Sequence, residues 1–535
     1  MDRFPQEIVS VILDYLNTGK RKRSHLLRYV TISRQWQYAV ERLNLNGLEF
    51  ESTETDLAMF ADLFRPSQSH RSTLVKDVVY NIVLPKYSDA ACGKVETESD
   101  KESNNRVFAE AICNLFKILK SLDNEEVRRA GGLMLDIQAY SPMDTHRRPN
   151  SEKKRNDTRR GKRKDLWTKR YWASFLQLKD HDSIPVLSNV SIFYTRASYH
   201  SRNVEPASAI AIMSKLKGLK TCDMSFSDRE VIGREVRQMN RNNFAQSLST
   251  FPNSIDSIAL ELGAKDSFDE STTPQNLLPP SSSATVDPLN PALHTFINRA
   301  NLKSITIQEH LVTPDLFWPS SSPSPTAPPT TPIWQNLRSI EVHMQLSTVD
   351  GGWYFMPDTR IVRPEDTTNN PASAADDEEY DSDTSTESYQ DSLSDPADIN
   401  TFRRIPDPAR MNPLLIAMAR AARHAPVLER MWLTVPGGEM EPKYPRRGGG
   451  REGKRRRFEI MYLARRVRDD VYGGDGGGGE QGEGETEGKG ERETERDRPR
   501  LICQVDEWRA DGEVQGEWAR VLAPDGIVLY NTDDY

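Results

Sequence analysis

Two stretches, Ala300–His310 "ANLKSITIQEH" and Gln335–Met344 "QNLRSIEVHM", share one grammar: an apolar residue, two or three spacers, then apolar residues at every second position. Alternation at period two describes a strand with one face buried. The same grammar recurs in "PVLSNVSIFY" from Pro185, "LKGLKTCDMSF" from Leu216, "PNSIDSIALEL" from Pro252 and "PVLERMWLTV" from Pro426. The leading apolar positions are Leu187, Leu219, Ile255, Leu302, Leu337 and Leu428. Helical patterns fall between or beside these strands, at 106–122, 206–216, 240–250, 292–300 and 413–425. A strand–helix unit returning along the chain is the mark of a solenoid in which each repeat buries its neighbour's face.

The rest of the chain is more polar. Only 36% of its 535 residues are apolar, and 33 prolines interrupt it, which predicts folded blocks separated by solvated insertions. The net charge of −8 is unevenly spread. Basic residues crowd the arm at 146–164, "HRRPNSEKKRNDTRRGKRK", whereas 364–401 is acidic and contains no Lys or Arg. The stretch 320–332 is Pro/Ser-rich, with a PxxP at Pro325 and Pro328, 436–457 is a basic, Gly-rich linker, and 473–498 is a Gly/Glu run. Such charge runs read as solvated segments.

Several kinds of chemistry find no support. Cys92, Cys113, Cys222 and Cys503 form no CxxC pair, so neither a disulfide framework nor a zinc site is expected, and the usage suits a reducing, intracellular compartment, cytoplasm or nucleus. No apolar run reaches the length of a membrane span, and no membrane partner is expected. Gly474–Gly479 satisfies GxGxxG in form only, because it follows no strand and opens no helix. With no nucleophile elbow, phosphate-binding loop or metalloprotease motif, the chain is expected to be non-catalytic and to need no cofactor. Trp318, Trp334 and the cluster "GGWYF" (351–355) lie near turns, where large aromatics serve either as core or as binding anchors.

The N-terminus is organised differently. "FPQEIVSVILDYL", Phe4 to Leu16, opens with Pro5, which suits a helix's first turn. At about 100° per residue, Ile8, Ile12, Leu16, Val9 and Leu13 cover one broad arc, opposite Glu7, Ser10 and Asp14. After "NTGKRKRS", with Gly19 as a cap, Leu26, Leu27 and Val30 make a second short face. Ser33 can cap a third helix carrying Trp36, Ala39, Val40 and Leu43. Three short helices in about 40 residues bury too little surface to stand alone, so another surface is expected to cover part of them.

Phe4-Pro5, Ile12-Leu13, Leu26-Leu27 and "ISRQW" together resemble the F-box, whose pattern begins Leu-Pro, continues with an Ile-Leu pair and ends Val-Ser-x-x-Trp. Phe4 replaces the leucine, Ile32 replaces the valine, and the basic Lys20–Arg23 lengthens the first loop. The repeated unit resembles a degenerate leucine-rich repeat array without its asparagine ladder. The expected fold class is therefore α+β: an N-terminal three-helix F-box at 1–45, a connecting segment at 46–105, an irregular α/β leucine-rich-repeat-like solenoid at 106–435, the linker at 436–457, and a C-terminal segment at 458–535.

The resemblance implies a substrate-recognition subunit of an SCF-type (cullin–RING) ubiquitin ligase. It would bind a Skp-type adaptor, and through it a cullin, using Phe4, Pro5, Ile8, Ile12, Leu13, Leu16, Leu26, Leu27 and Trp36. A target protein, unnamed by the sequence, would lie on the stacked strands. The alternative is a nuclear nucleic-acid-associated protein using the arm at 146–164. That arm lacks an interleaved aromatic before Trp167 and reads first as a solvated loop or import signal.

Overall fold

The structure is a computed structural model. It describes residues 5–17, 23–91, 94–123, 125–129, 131–144, 170, 174–179, 181–195, 201–263, 270–278, 287–319, 332–358, 403–435, 458–465, 498–505 and 508–530. The chain divides into two compact units, Met1–Phe226 with Thr250–Ser257, and Ser227–Ser249 with Ile258–Tyr535. Both are mixed α/β, with helices and strands interleaved rather than segregated. Phe4, Gly19, Cys92, the basic arm at 146–164, the acidic stretch at 364–401 and the linker at 436–457 lie outside the described residues, as do nearly all of 320–332 and 473–498.

The first unit opens with helix α1 (Gln6–Asn17), a 3-10 helix (Arg23–Tyr29) and helix α2 (Arg34–Leu45). Five strands follow: β1 (Gly47–Glu51), β2 (Asp77–Val83), β3 (Leu133–Tyr140), β4 (Val190–Thr195) and β5 (Thr221–Ser225), each pairing in parallel with the next. Helices α3 (Glu54–Asp62), α4 (Glu98–Ser121), α5 (Glu125–Arg129) and α6 (Pro206–Ser214) occupy the connections. Parallel pairs need such crossovers, because a tight turn can only reverse a strand.

Helix α4 begins eight residues before the sequence pattern placed it. Thr97 and Asp100 form a reciprocal capping box that satisfies two end N–H groups and starts the helix on polar residues. Its apolar side, from Phe108 to Leu119, is buried, and the Tyr80 hydroxyl donates to the Ala111 carbonyl at 3.3 Å, seating α4 against β2.

In the second unit the strands β6 (Ser257–Glu261), β7 (Ser304–His310), β8 (Ser339–Met344), β11 (Arg430–Thr434), β12 (Glu459–Leu463), β13 (Arg500–Gln504) and β14 (Ile527–Tyr530) lie in that order. β7, β8 and β11 are parallel, β12 is antiparallel to both its neighbours, and β13 and β14 are parallel. A short antiparallel pair, β9 (Phe355–Pro357) with β10 (Arg403–Pro406), stands apart. Helices α7 (Arg234–Ser247), α8 (Leu289–Arg299), α9 (Pro408–His424) and α10 (Gly512–Leu522) complete the unit.

All six stretches with the repeated grammar form strands, β4 to β8 and β11. Leu302, Leu337 and Leu428 each sit two residues before the register-matched Ser304, Ser339 and Arg430, and all three are buried. The spacing recurs because each leucine fills the core beneath the start of its strand. Trp334, Trp353, Tyr354 and Phe355 are buried as core, whereas Trp318 is partly exposed.

A buried polar network crosses the second unit. Arg241 donates through Nε and Nη2 to the two oxygens of Asp287, both at 3.0 Å, and through Nη1 to Asp228 at 2.9 Å. Arg237 Nε reaches the other Asp228 oxygen at 3.0 Å. Asn290 donates to Asp287 at 2.8 Å and accepts from the His310 Nε2–H at 3.0 Å. Burial pushes the Asp287 carboxyl up, but the Arg241 guanidinium outweighs this and holds it below the usual range. Burial, helped by the nearby Arg241 charge, takes His310 down to about 3, so the ring is neutral.

This network makes the fold sensitive to acid. A histidine whose folded pKa is depressed contributes stability that is complete above its unfolded value near 6.5 and is lost as pH falls toward 3. Asp287, also depressed, adds a loss at lower pH, and His294, lowered by burial, acts in the same direction as His310. At pH 5 the His310 contribution should be down by roughly 2 kcal/mol. Thermal melts from pH 7 to pH 5 should show the midpoint falling, and falling less in His310→Gln. Parallel slopes for the two proteins would mean that His310 does not carry the effect.

Candidate docking surface

Helix α1 is divided into three sectors. With Ile8 set at zero and about 100° per residue, Val9, Leu13 and Leu16 occupy roughly 80–140°, and Ser10, Asp14 and Glu7 roughly 200–260°. Ile8, Ile12, Val11 and Tyr15 fill the remaining arc, from about 300° through zero to 40°. The structure uses the first sector internally. Val9 and Leu13 are fully buried with Leu26, Ala39 and Val40, while Leu16, Tyr29, Val30, Trp36 and Leu43 pack around them. The third sector is exposed: Ile8 is 45% exposed, Val11 64%, Ile12 37% and Tyr15 79%. Leu27, on the adjoining 3-10 helix, is 56% exposed.

The residues expected to bind an adaptor are therefore divided between two roles. Pro5, Ile8, Ile12 and Leu27 are on the surface. Leu13 and Leu26 are inside the helices' own core, and Leu16 and Trp36 are half-buried against it. Val11 and Tyr15 belong to the same exposed apolar set and were not singled out from the sequence, while Ile32, noted there only as standing in for a valine, is exposed as well. An apolar residue three or four positions from Ile8 and Ile12 was the available signal. Exposed single apolar residues need no explanation, but four contiguous on one helix face do.

The start of α2 adds a polar feature. Ser33 is its N-cap residue, yet its hydroxyl makes no capping bond. Ser33 Oγ, Gln35 Oε1 and Trp36 Nε1 are all buried without a hydrogen-bond partner. Buried polar atoms are normally satisfied, so three unmet within four residues set this helix start apart. The cluster is nonetheless fixed to the rest of its unit. Glu41 on α2 accepts from Arg71 at 2.6 Å, and the Asn46 carbonyl takes both Lys76 and Asp77 N–H groups at the mouth of β2.

The sheet of the first unit offers a second surface. Val78, Tyr80, Ile82, Leu135, Ile137, Cys222 and Met224 point to the buried side. The opposite, largely half-exposed side carries Glu49, Glu51, Asp77, Asp136 and Asp223, and none of the five strands contains Lys or Arg. Paired register aligns Glu49, Val79, Asp136, Tyr194 and Asp223 in one row. Neutral groups hold several of these carboxylates: Asn81 Nδ2 donates to Glu49 at 3.0 Å, Gln138 Nε2 to Asp136 at 3.1 Å, and the Tyr140 hydroxyl to Glu51.

Among the described residues no cluster of His, Cys, Asp and Glu is arranged to hold a metal, and no helix is long and apolar enough to cross a membrane. No protein-family model matches the chain, and no curated protein matches it.

Proposed function

We propose that the chain is the substrate-recognition subunit of an SCF-type ubiquitin ligase, with α1, the 3-10 helix and α2 acting as an F-box that docks a Skp-type adaptor, and through it a cullin. The observation that carries this reading is the division of α1: one apolar sector is spent on the internal core, and a second, formed by Ile8, Val11, Ile12 and Tyr15, is exposed to solvent. The unmet polar atoms of Ser33, Gln35 and Trp36 add groups that a partner's side chains or backbone could satisfy. Leu13 and Leu26 serve docking indirectly, by holding the helices in place.

In this reading the interleaved body is a leucine-rich-repeat-like solenoid and its open sheet face holds the target. The carboxylate row of the first unit favours a target segment rich in Lys and Arg. The protein performs no chemistry itself; it raises the target's effective concentration beside the catalytic partner.

The test is to mix the purified full chain with a purified Skp-type adaptor at micromolar concentration and follow both by size-exclusion chromatography. Co-elution should survive 0.5 M salt, because apolar contacts are not screened as charge pairs are. Separate elution of the two proteins at low salt would end the proposal.

A further inference from the structure

A cleft of about 600 Å³ opens in the second unit between the turn at Pro314–Pro319, one face of α9 from Pro408 to Arg420 and the start of α10. Its size is in the range of sites that enclose a small ligand or a few residues of peptide.

Two side-chain polar atoms of this cleft are left unsatisfied within the chain. Trp318 Nε1 and Asn412 Oδ1 are buried without a hydrogen-bond partner, one a donor and the other an acceptor. Pro413, inside α9, has no N–H to give the Ala409 carbonyl, and both residues line the cleft. Pro314, Pro319 and Pro408 add rigid apolar rings to the wall. At the rim, Arg420 faces Glu517 at 3.5 Å, Asp511 is engaged in capping α10, and the Glu513 side chain is exposed.

We infer that this cleft binds a short extended peptide segment in which proline stands beside Lys or Arg. A peptide backbone supplies both missing partners, a carbonyl for the Trp318 N–H and an N–H for Asn412 or Ala409. Proline suits the site in two ways: its ring packs flat on tryptophan and proline side chains, and a proline-rich segment is already extended, so it loses little freedom on binding. The rim selects the cation, since Asp511 and Glu513 outnumber Arg420, which is itself paired with Glu517. The inference stands independently of adaptor docking.

The probe is a fluorescein-labelled peptide, Ala-Pro-Pro-Lys-Pro-Pro-Ala, titrated with the full chain and read by anisotropy. Saturable binding is expected, weakened about five-fold or more in Trp318→Phe, which keeps an aromatic ring and removes the N–H. Glu513→Gln should weaken the lysine probe but not a probe with norleucine in place of lysine. Both variants should keep the wild-type melting temperature, because neither residue is core. Equal affinity of the wild type and both variants, or equal affinity for a probe with glutamate in place of lysine, would overturn the assignment. So would absence of saturation at 1 mM peptide, or self-association of the free chain that Trp318→Phe abolishes, which would make a second copy the occupant.

Discussion

Replacing Ile8 and Ile12 together by Asp should abolish adaptor recovery and leave the melting temperature nearly unchanged. Both residues lie in the exposed apolar sector of α1, so the folded chain already tolerates water at these positions. In a docked complex the same change would lose two aliphatic contacts, worth about 1 kcal/mol each given their present exposure, and would set two carboxylates against an apolar surface. A loss of about 4 kcal/mol in binding is close to a thousand-fold in Kd.

Leu13→Ala should behave in the opposite order. Leu13 is fully buried, so its truncation should cost about 2–5 kcal/mol of local stability and weaken docking only by loosening the helices. Glu7→Gln and Asp14→Asn, in the polar sector, should change neither quantity. Co-elution with the adaptor and a melting curve for each variant separate these cases. If Ile8→Asp with Ile12→Asp left adaptor recovery intact, the exposed sector would not be the docking face.

The second large effect concerns Arg241. Arg241→Met should destabilise the second unit by about 3–5 kcal/mol, because it leaves Asp287 buried without its counter-charge. Asp228 would keep Arg237 at 3.0 Å, so the damage should centre on Asp287 and on the start of α8, where Asn290 depends on it. Arg241→Met combined with Asp287→Leu should restore much of the loss, since removing both charges is far cheaper than removing one. Urea midpoints of the two single variants and the double variant give the coupling directly. A double variant no more stable than Arg241→Met would show that the pair acts through packing instead of charge.

Much of the strand pattern was legible because it repeats. Leu187, Leu219, Ile255, Leu302, Leu337 and Leu428 announce their strands, since an apolar residue just ahead of an alternating run has one place to go, the core below the sheet. The segment at 46–105 was harder. β1 is five residues long with two glutamates, and the first turns of α4, "ESDKESNN", look like surface until Thr97 and Asp100 are read as a cap. The two apolar sectors of α1 could not be told apart by periodicity. Val9 and Ile12 are chemically alike, and contact with Leu26 and Val40, distant in sequence, decides which is inside. Arg237 and Arg241 were least legible of all. Four positions apart on a polar helix, they read as a solvated face, and Arg241's partner Asp287 lies 46 residues further on.

The order of the strands also bears on how the chain acquires its structure while it is being made. In the first unit every strand pairs with the strand synthesised before it, so each new strand can dock as it leaves the ribosome instead of waiting for a distant partner. The second unit departs from this at one point: β11 pairs with β8, and between them the chain makes β9, β10 and α9. Closing that loop, about three times longer than the one between β7 and β8, costs roughly 1 kcal/mol more in chain entropy. β11 is therefore the step at which a nascent chain lingers half-built, with the edge of β8 bare and open to the wrong strand. A chaperone acting on this protein during translation would be needed most between the emergence of Met344 and that of Thr434.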